Sequence, residues 1–146
     1  MSDPVVIFPD EPSIHTPTRR KLPRDRPSIA HTFKINSFDG RLIVGLFEDG
    51  QPGEIFLRLA QVGSVLDGLC DAIGVSSSLA LQYGCPIKII VDKWKGTRFE
   101  PDGVTDNEQI RMVTSVLDYV ARYLEQKFII PKLKEIEECH GNGTST

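Results

Sequence analysis

Three stretches between residues 31 and 59 alternate hydrophobic and polar positions, in the letters HTFKI, RLIVGLF and EIFLRL. The hydrophobic positions that share a face are, stretch by stretch, Phe33 and Ile35, then Leu42, Val44 and Leu46, then Ile55, Leu57 and Leu59. Because successive side chains of a β-strand point to opposite faces, this pattern predicts three strands. The segment EDGQPG between the second and third strands favours a tight reversal, so a small antiparallel meander is expected.

The hydrophobic spacing changes to three and four residues after Ser64 and keeps that period until Gly84, where a helix is expected to end. Ser64 and Asp67 resemble a capping box at its start. Small residues in its interior lower helix stability and indicate close approach of another backbone, from this chain or a partner: Gly68, Gly74 and the serines at 76–78. A second helix, PIKIIVDKWKG, follows, with Pro86 suited to its first turn.

The spacing of Thr105 and Glu108 is that of another capping box, and it introduces a third predicted helix, NEQIRMVTSVLDYVARYLEQKF. Asp106 and Glu108 then become first-turn acids favoured by the helix dipole. Pro131 is expected to break the periodicity after Phe128, before a short final helix. The predicted fold is α+β: a small antiparallel β-meander of about three strands packed against three α-helices.

Six of the ten prolines fall within residues 1–28. Since proline suits neither a helix interior nor a central strand, residues 1–27 are predicted to form an extended basic arm. A compact domain is expected at 28–128, and a short helix with a flexible tail at 129–146. The arm's five basic residues are Arg19, Arg20, Lys21, Arg24 and Arg26. They are expected to be a solvated linker or to contact a nucleotide phosphate, nucleic acid or an acidic surface, although the acidic balance of the remainder argues against nucleic acid.

Several classes of protein are disfavoured by the sequence. No apolar run approaches the length of a membrane span, and the start MSDPVVIFPDEP lacks the pattern of a secretory signal, so the cytoplasm is expected. The three cysteines form no CxxC pair; Cys70 is predicted to be a core residue, and Cys139 stands beside His140. The other histidines, His15 and His31, are too dispersed to suggest a metal site. No catalytic motif is present, so no catalytic or metal-binding residue is predicted.

The phrases RRKLPRDRPSIAHTFKI, GRLIVGLFEDGQPGEIFLRLAQVGS, SLALQYGCPIKIIVDKW and TRFEPDG resemble, in content and order, the C-terminal region of adenosylcobalamin-dependent (class II) ribonucleotide reductases. The resemblance runs from about residue 19 to residue 128. In that family the region follows a large barrel that carries the substrate site, the radical-forming cysteine and the cobalamin. The resemblance therefore implies a stand-alone module that binds no cobalamin alone and is not catalytic alone, since Cys139 also lacks the partner of the family's cysteine pair.

Two functions remain open for such a module. It is expected to be an accessory, regulatory or split part of ribonucleotide reduction that binds a reductase catalytic chain or itself, a homodimer included. Alternatively, it is a nucleotide-binding sensor. In TRFEPDG, Arg98, Glu100 and Asp102 either pair internally to fix the loop or bind a nucleotide phosphate or a partner's carboxylate through the guanidinium fork. The further candidate contacts are in the arm: Arg19, Arg20, Lys21 and Arg24.

Overall fold

A computed structural model describes residues 17–60 and 63–141. Its first elements are three strands in the antiparallel order β1-β2-β3, with bounds β1 Ser28–Ile35, β2 Phe38–Leu46 and β3 Pro52–Leu59. After them come α1 Ser64–Gln82, α2 Ile87–Trp94, the short hairpin strands β4 Gly103–Val104 and β5 Met112–Val113, α3 Val116–Leu124, a π-helical turn Glu125–Ile129 and α4 Ile130–Gly141. The predicted α+β architecture is confirmed. Residues 1–16 of the predicted arm and 142–146 of the predicted tail lie outside the described residues.

The three-stranded sheet buries one face. The register pairs Phe33 with Gly40, so both lie on this face, and a Cβ on Gly40 would come within 2.3 Å of the Phe33 ring. The other side chains that bury this face follow the predicted alternation: Ile35, Leu42, Val44, Ile55, Leu57 and Leu59. The predicted reversal before β3 also forms, with Gly50 at φ +81° and its N–H bonded to the Phe47 carbonyl at 2.9 Å.

Helix α1 covers the outer edge of β3. A Cβ on Gly74 would lie 2.8 Å from the Ile55 carbonyl oxygen, so glycine is what allows the helix backbone to approach the strand. The Ser78 hydroxyl accepts a hydrogen bond from Ile55 N at 2.8 Å, which satisfies a backbone donor at the strand edge. At this face, the close approach predicted from the small residues lies within the chain. The Ser64–Asp67 capping box was a wrong prediction, because the N-cap is Gly63 and the Asp67 carboxylate pairs with Arg58 at 3.1 Å.

The third helix begins at Val116, nine residues after the predicted start at Asn107. Residues 103–113 form the β4–β5 hairpin instead, and the Thr105 hydroxyl closes its loop by accepting from Asn107 N at 3.1 Å and donating to the Ile110 carbonyl. Thr105 is therefore not a helix cap, and neither Asp106 nor Glu108 lies in a first helical turn. The N-cap is Ser115, whose hydroxyl accepts from Asp118 N at 2.9 Å.

Helix α3 passes without interruption through the π-helical turn into α4, so Pro131 does not end the helix as predicted. Proline lacks the N–H that an α-helix directs to the fourth preceding carbonyl, and a π-helical turn just before it is one way in which a helix accommodates such a defect. Every residue of α4 is exposed. Among residues 17–60 and 63–141, no helix combines the length and hydropathy needed to span a membrane.

Candidate functional site

The loop at residues 96–102 carries three of the predicted site residues and is tied to the start of α3. Gly96 turns the chain at φ +81° and donates its N–H to Asp118 Oδ1 at 2.7 Å. The Thr97 carbonyl accepts from the Thr114 hydroxyl at 2.7 Å. These bonds join segments about 20 residues apart in sequence and fix the path of the loop.

Asp118 is the buried anchor of this arrangement, with 1% of its surface exposed. Its carboxylate accepts from Gly96 N, from Thr114 N at 3.0 Å and from Arg122 Nε at 3.0 Å. Burial by itself acts to raise the pKa of Asp118, but the two backbone hydrogen bonds and the Arg122 charge outweigh it and hold the pKa below its ordinary value. The carboxylate therefore remains charged at neutral pH and organises the loop.

The predicted internal pairing of Arg98 with Glu100 or Asp102 is not formed. Within the part of the chain that the structure describes, Arg98 makes no ion pair, and all three side chains belong to exposed residues. The Arg122–Asp118 pair fixes the loop instead. The TRFEPDG segment thus presents one cation and two carboxylates to solvent on a well-anchored backbone.

Glu100 and Asp102 lie at the β1–β2 turn of the sheet. The Asn36 side-chain amide donates to the Asp102 carbonyl, and a Cβ on Gly103 would collide with the Asn36 side chain at 2.7 Å. Glu100, Pro101 and Asp102 border a cleft of about 520 Å³ whose other lining residues are Asn36, Phe38, Gly63 and Leu66. The lining of the cleft is thus mixed, with polar side chains from Asn36, Glu100 and Asp102 and apolar ones from Phe38 and Leu66.

The arm, where the structure describes it, is bound to the domain. Arg19 Nε donates to Gln82 Oε1 at 2.7 Å, and Arg20 N donates to the Gln82 carbonyl at 2.8 Å. The Arg20 guanidinium lies 4.0 Å from the centre of the Phe47 ring and 3.3 Å from the Asp49 carboxylate. Residues 19 and 20 thus have partners within the chain.

Arg26 completes the attachment of the arm, because its guanidinium makes a two-pronged contact with the Glu54 carboxylate at 2.6 and 3.0 Å. Lys21 and Arg24 are exposed and make no ion pair with any residue that the structure describes. Of the arm's predicted contact residues, these two keep a free charge.

The predicted site residues do not form one site. The arm enters at Ser28, opposite Gly45 in the β1–β2 register, whereas the TRFEPDG loop meets the turn after Ile35. Because β1 is eight residues long, the two groups are separated by roughly 24 Å along the sheet. A ligand the size of a nucleotide does not bridge that length, so the arm and the loop act as separate surfaces.

A cluster of aromatic side chains that sequence reasoning did not single out lies on the buried face of the sheet. His31 Nε2 is 2.8 Å from the Tyr119 hydroxyl, and the His31 ring stacks on Tyr123 with centroids 4.1 Å apart. Burial lowers the pKa of His31 and, despite the opposing charge of Asp106, leaves it below its ordinary value, with Lys127 adding to the decrease. The signal in the sequence was the position of His31 on the apolar face of β1, together with two tyrosines four residues apart.

Each of the two described histidines has one ring nitrogen in a hydrogen bond. His31 is enclosed by the two tyrosine rings with Nε2 hydrogen-bonded, and His140 lies on exposed α4 with Nδ1 bonded to the Ile136 carbonyl at 2.8 Å. The three cysteines are free: Cys70 is buried as predicted, and burial raises its pKa to about 11. Cys70 is therefore not a reactive thiolate.

Comparison with known proteins identifies the family of this chain. Residues 14–128 match the TSCPD domain. A vitamin B12-dependent ribonucleotide reductase of Rhodopirellula baltica is 42% identical over 138 residues, which cover 91% of this chain and 13% of that protein. Proteins of the same name are 37% identical in Streptantibioticus cattleyicolor, covering 79% of this chain and 19% of that protein, and 36% identical in Bradyrhizobium diazoefficiens, covering 76% and 9%.

No solved structure matches the chain. The chain spans less than a fifth of the length of these curated relatives, so the similarity concerns one domain of much larger enzymes. The family resemblance seen in the sequence is confirmed, and this chain belongs to the TSCPD domain family, in the form found within vitamin B12-dependent ribonucleotide reductases.

Proposed function

We propose that this chain is a non-catalytic module of the ribonucleotide reduction system, an accessory, regulatory or split part that binds the catalytic part of a vitamin B12-dependent reductase. The observation that carries the proposal is the 42% identity to a protein of that name across 91% of this chain. Identity at this level over a whole domain makes a common surface for the same kind of partner the simplest expectation. The cobalamin and the reacting cysteines belong, on this proposal, to that partner.

The TRFEPDG loop is the surface we assign to this contact. Its backbone is held by the buried Asp118 carboxylate, while Arg98, Glu100 and Asp102 remain exposed. A prearranged loop loses little conformational entropy when its side chains bind, which favours recognition. The Arg98 guanidinium offers a planar fork suited to a partner's carboxylate.

Binding between this chain and the catalytic chain of a vitamin B12-dependent reductase tests the proposal. We expect Arg98→Ala to weaken the complex at least about tenfold, as loss of an interface arginine commonly does. Arg41→Ala is the matched control, because Arg41 is an exposed arginine on the opposite, solvent-facing side of the sheet and makes no ion pair among the described residues. Absence of any complex at low salt would refute the module, whereas equal weakening by both variants would refute the loop as its surface.

A nucleotide-binding sensor is the alternative function. It is favoured by one observation, the exposed Arg98 guanidinium without a carboxylate partner in the described chain. The arm's Lys21 and Arg24 would be separate phosphate contacts. Calorimetric titration with ribo- and deoxyribonucleotides tests it: saturable heat that disappears in Arg98→Ala supports a sensor, and no heat at millimolar nucleotide removes it.

A further inference from the structure

Helix α1 exposes an uncharged apolar face directly opposite the face that covers the sheet. The residues on it recur at steps of four, three, four, three and four, the spacing of a helix-pairing seam. We call this row the outer seam of α1; its members are Val65, Leu69, Ala72, Ser76, Leu79 and Tyr83. The four large side chains of the seam are exposed by 75%, 54%, 39% and 48% in chain order.

The fold itself does not account for this face. A surface helix ordinarily places charged and polar residues opposite its buried face. The only charged residues of α1 are Asp67 and Asp71, and both turn sideways toward Arg58 of β3, at 3.1 and 3.9 Å. The neighbouring α2, by contrast, carries an exposed Lys88–Asp92 pair on its surface.

We propose that the outer seam of α1 is the dimerisation surface of this protein, and that it pairs with the same seam of a second copy running in the opposite direction. The order of side-chain sizes supports a second copy. Two large residues stand at each end and two small ones in the middle, so an antiparallel copy places Val65 beside Tyr83, Leu69 beside Leu79, and Ala72 beside Ser76. A twofold interface requires this self-complementarity.

The middle of the seam lets the two helices approach closely. Ala72 and Ser76 lie next to the twofold axis, and neither side chain extends more than one heavy atom past Cβ. Close backbone approach at the centre allows the large residues at both ends to interlock. The seam residues themselves carry no charge, and Lys93 of α2, which borders the same groove, can keep its ammonium group in water, so apolar burial is opposed by little electrostatic cost.

The surface available is sufficient for a stable dimer. The large seam residues continue into Val75 and Ile89, which are exposed by 52% and 51%. With each of these six side chains exposing on the order of 100 Å², pairing two copies covers roughly 1,000 Å² in total, which reaches the lower limit for a specific interface.

Sedimentation equilibrium of the purified full chain across a wide concentration range gives the first test. We expect a monomer–dimer equilibrium. Leu69→Glu is expected to shift it at least about tenfold toward monomer, because each introduced carboxylate would be buried beside the uncharged Leu79 of the other copy. Leu133→Glu is the matched control: Leu133 is 52% exposed, against 54% for Leu69, and also lies on a helix, but on α4. Far-UV circular dichroism of each variant establishes that it is folded.

Disulfide cross-linking tests the direction of pairing in a background with Cys85→Ser and Cys139→Ser. In the antiparallel arrangement, Val65→Cys protein mixed with Tyr83→Cys protein forms a cross-linked heterodimer. Val65→Cys protein alone does not, because its two thiols are separated by roughly 27 Å along the helices.

A wild-type mass that stays monomeric overturns the proposal, as does a dimer that survives Leu69→Glu. Cross-linking of Val65→Cys to itself overturns the antiparallel arrangement. The dimer does not depend on the proposed function, because all these measurements use this chain alone, and a failure of reductase binding leaves them unaffected.

Discussion

At the scale of single residues, Asp118 has the largest structural role in the candidate site. Asp118→Ala removes the buried carboxylate that accepts from the N–H groups of Gly96 and Thr114. We expect the free energy of unfolding to fall by about 3 kcal/mol, because each hydrogen bond to a charged acceptor contributes on the order of 1.5–3 kcal/mol. Urea denaturation followed by fluorescence of Trp94 measures it.

Asp92→Ala is the control for that measurement. Asp92 is also an aspartate on a helix with a basic partner four residues away, but its pair with Lys88 is exposed. Its loss is expected to cost less than about 1 kcal/mol. Equal losses of unfolding free energy in the two variants would show that the burial of Asp118 does not add to its contribution to stability.

His31 makes a second prediction, on pH. Its folded pKa is lowered, mainly by burial, so the unfolded chain binds a proton more readily than the folded chain. Stability is therefore complete above the ordinary histidine pKa of about 6.5 and falls as the pH is lowered through the folded value. We expect the urea midpoint of the wild type to decrease as the pH is lowered from about 7.5 to about 5.5, roughly one unit on either side of that pKa.

His31→Phe keeps a ring that stacks on Tyr123 and removes the titrating group. This variant is expected to lose most of the decrease in urea midpoint over the same range. An unchanged pH dependence in His31→Phe would assign the effect to other groups. Nuclear magnetic resonance titration of the His31 ring gives its folded pKa directly.

At the scale of elements, the contact between α1 and β3 depends on one glycine. Gly74→Ala places a methyl group 2.8 Å from the Ile55 carbonyl oxygen, which belongs to a sheet strand and cannot move easily. We expect a loss of about 1–3 kcal/mol in the free energy of unfolding, the usual cost of overpacking. Thermal and urea denaturation both measure it.

Gly68→Ala is the matched substitution in the same helix. A Cβ there meets nothing within 4 Å. It is expected to stabilise the protein by about 0.5–1 kcal/mol, because alanine loses less backbone freedom than glycine on folding. Destabilisation by both substitutions to the same extent would contradict the role given to Gly74.

The same scale shows how far the sequence predicts the fold. The three strands, α1 and α2 follow from local periodicity, since the alternation or helical spacing that predicts each one lies within a single continuous segment. The start of α3 does not, because the stripe from Ile110 onward has helical spacing although Ile110 and Val113 belong to a hairpin region. Only the actual cap, Ser115 with Asp118 three residues later, distinguishes a helix that starts at Val116 from one that starts near Asn107.

The candidate site was predictable in part. TRFEPDG was recognisable as a charged loop, and its charged residues Arg98, Glu100 and Asp102 are exposed. Its anchor was not predictable, because hydrogen bonds such as Gly96 to Asp118 join residues 22 positions apart, and Lys34 to Asp106 joins residues 72 apart. Local patterns contain no information on such pairs.

At the scale of the whole molecule, the arm is expected to be attached through Gln82. Gln82→Ala removes the acceptor of Arg19 Nε and the amide that donates to the Gly53 carbonyl at 3.0 Å. Because proteolysis samples locally opened states, we expect trypsin to cut at residues 19–24 several-fold faster in this variant. Mass spectrometry of timed digests measures the rate.

Gln109→Ala controls for the loss of a glutamine elsewhere, since Gln109 is exposed in the hairpin loop. Its cleavage rate at residues 19–24 is expected to match that of the wild type. Unchanged cleavage in Gln82→Ala would mean that the remaining contacts, such as Arg26 with Glu54, hold the arm by themselves.

The covering of the β3 edge by α1 also limits how this protein aggregates. Fibrils grow when a sheet accepts new strands at both of its edges, and here the Gly74 and Ser78 contacts occupy one of them. The end of β1 is itself paired, through the bridge of Ile35 with Thr105, so copies could join only through the earlier part of β1 and would stop at a pair. Growth into an extended cross-β polymer therefore requires α1 to detach from β3 first.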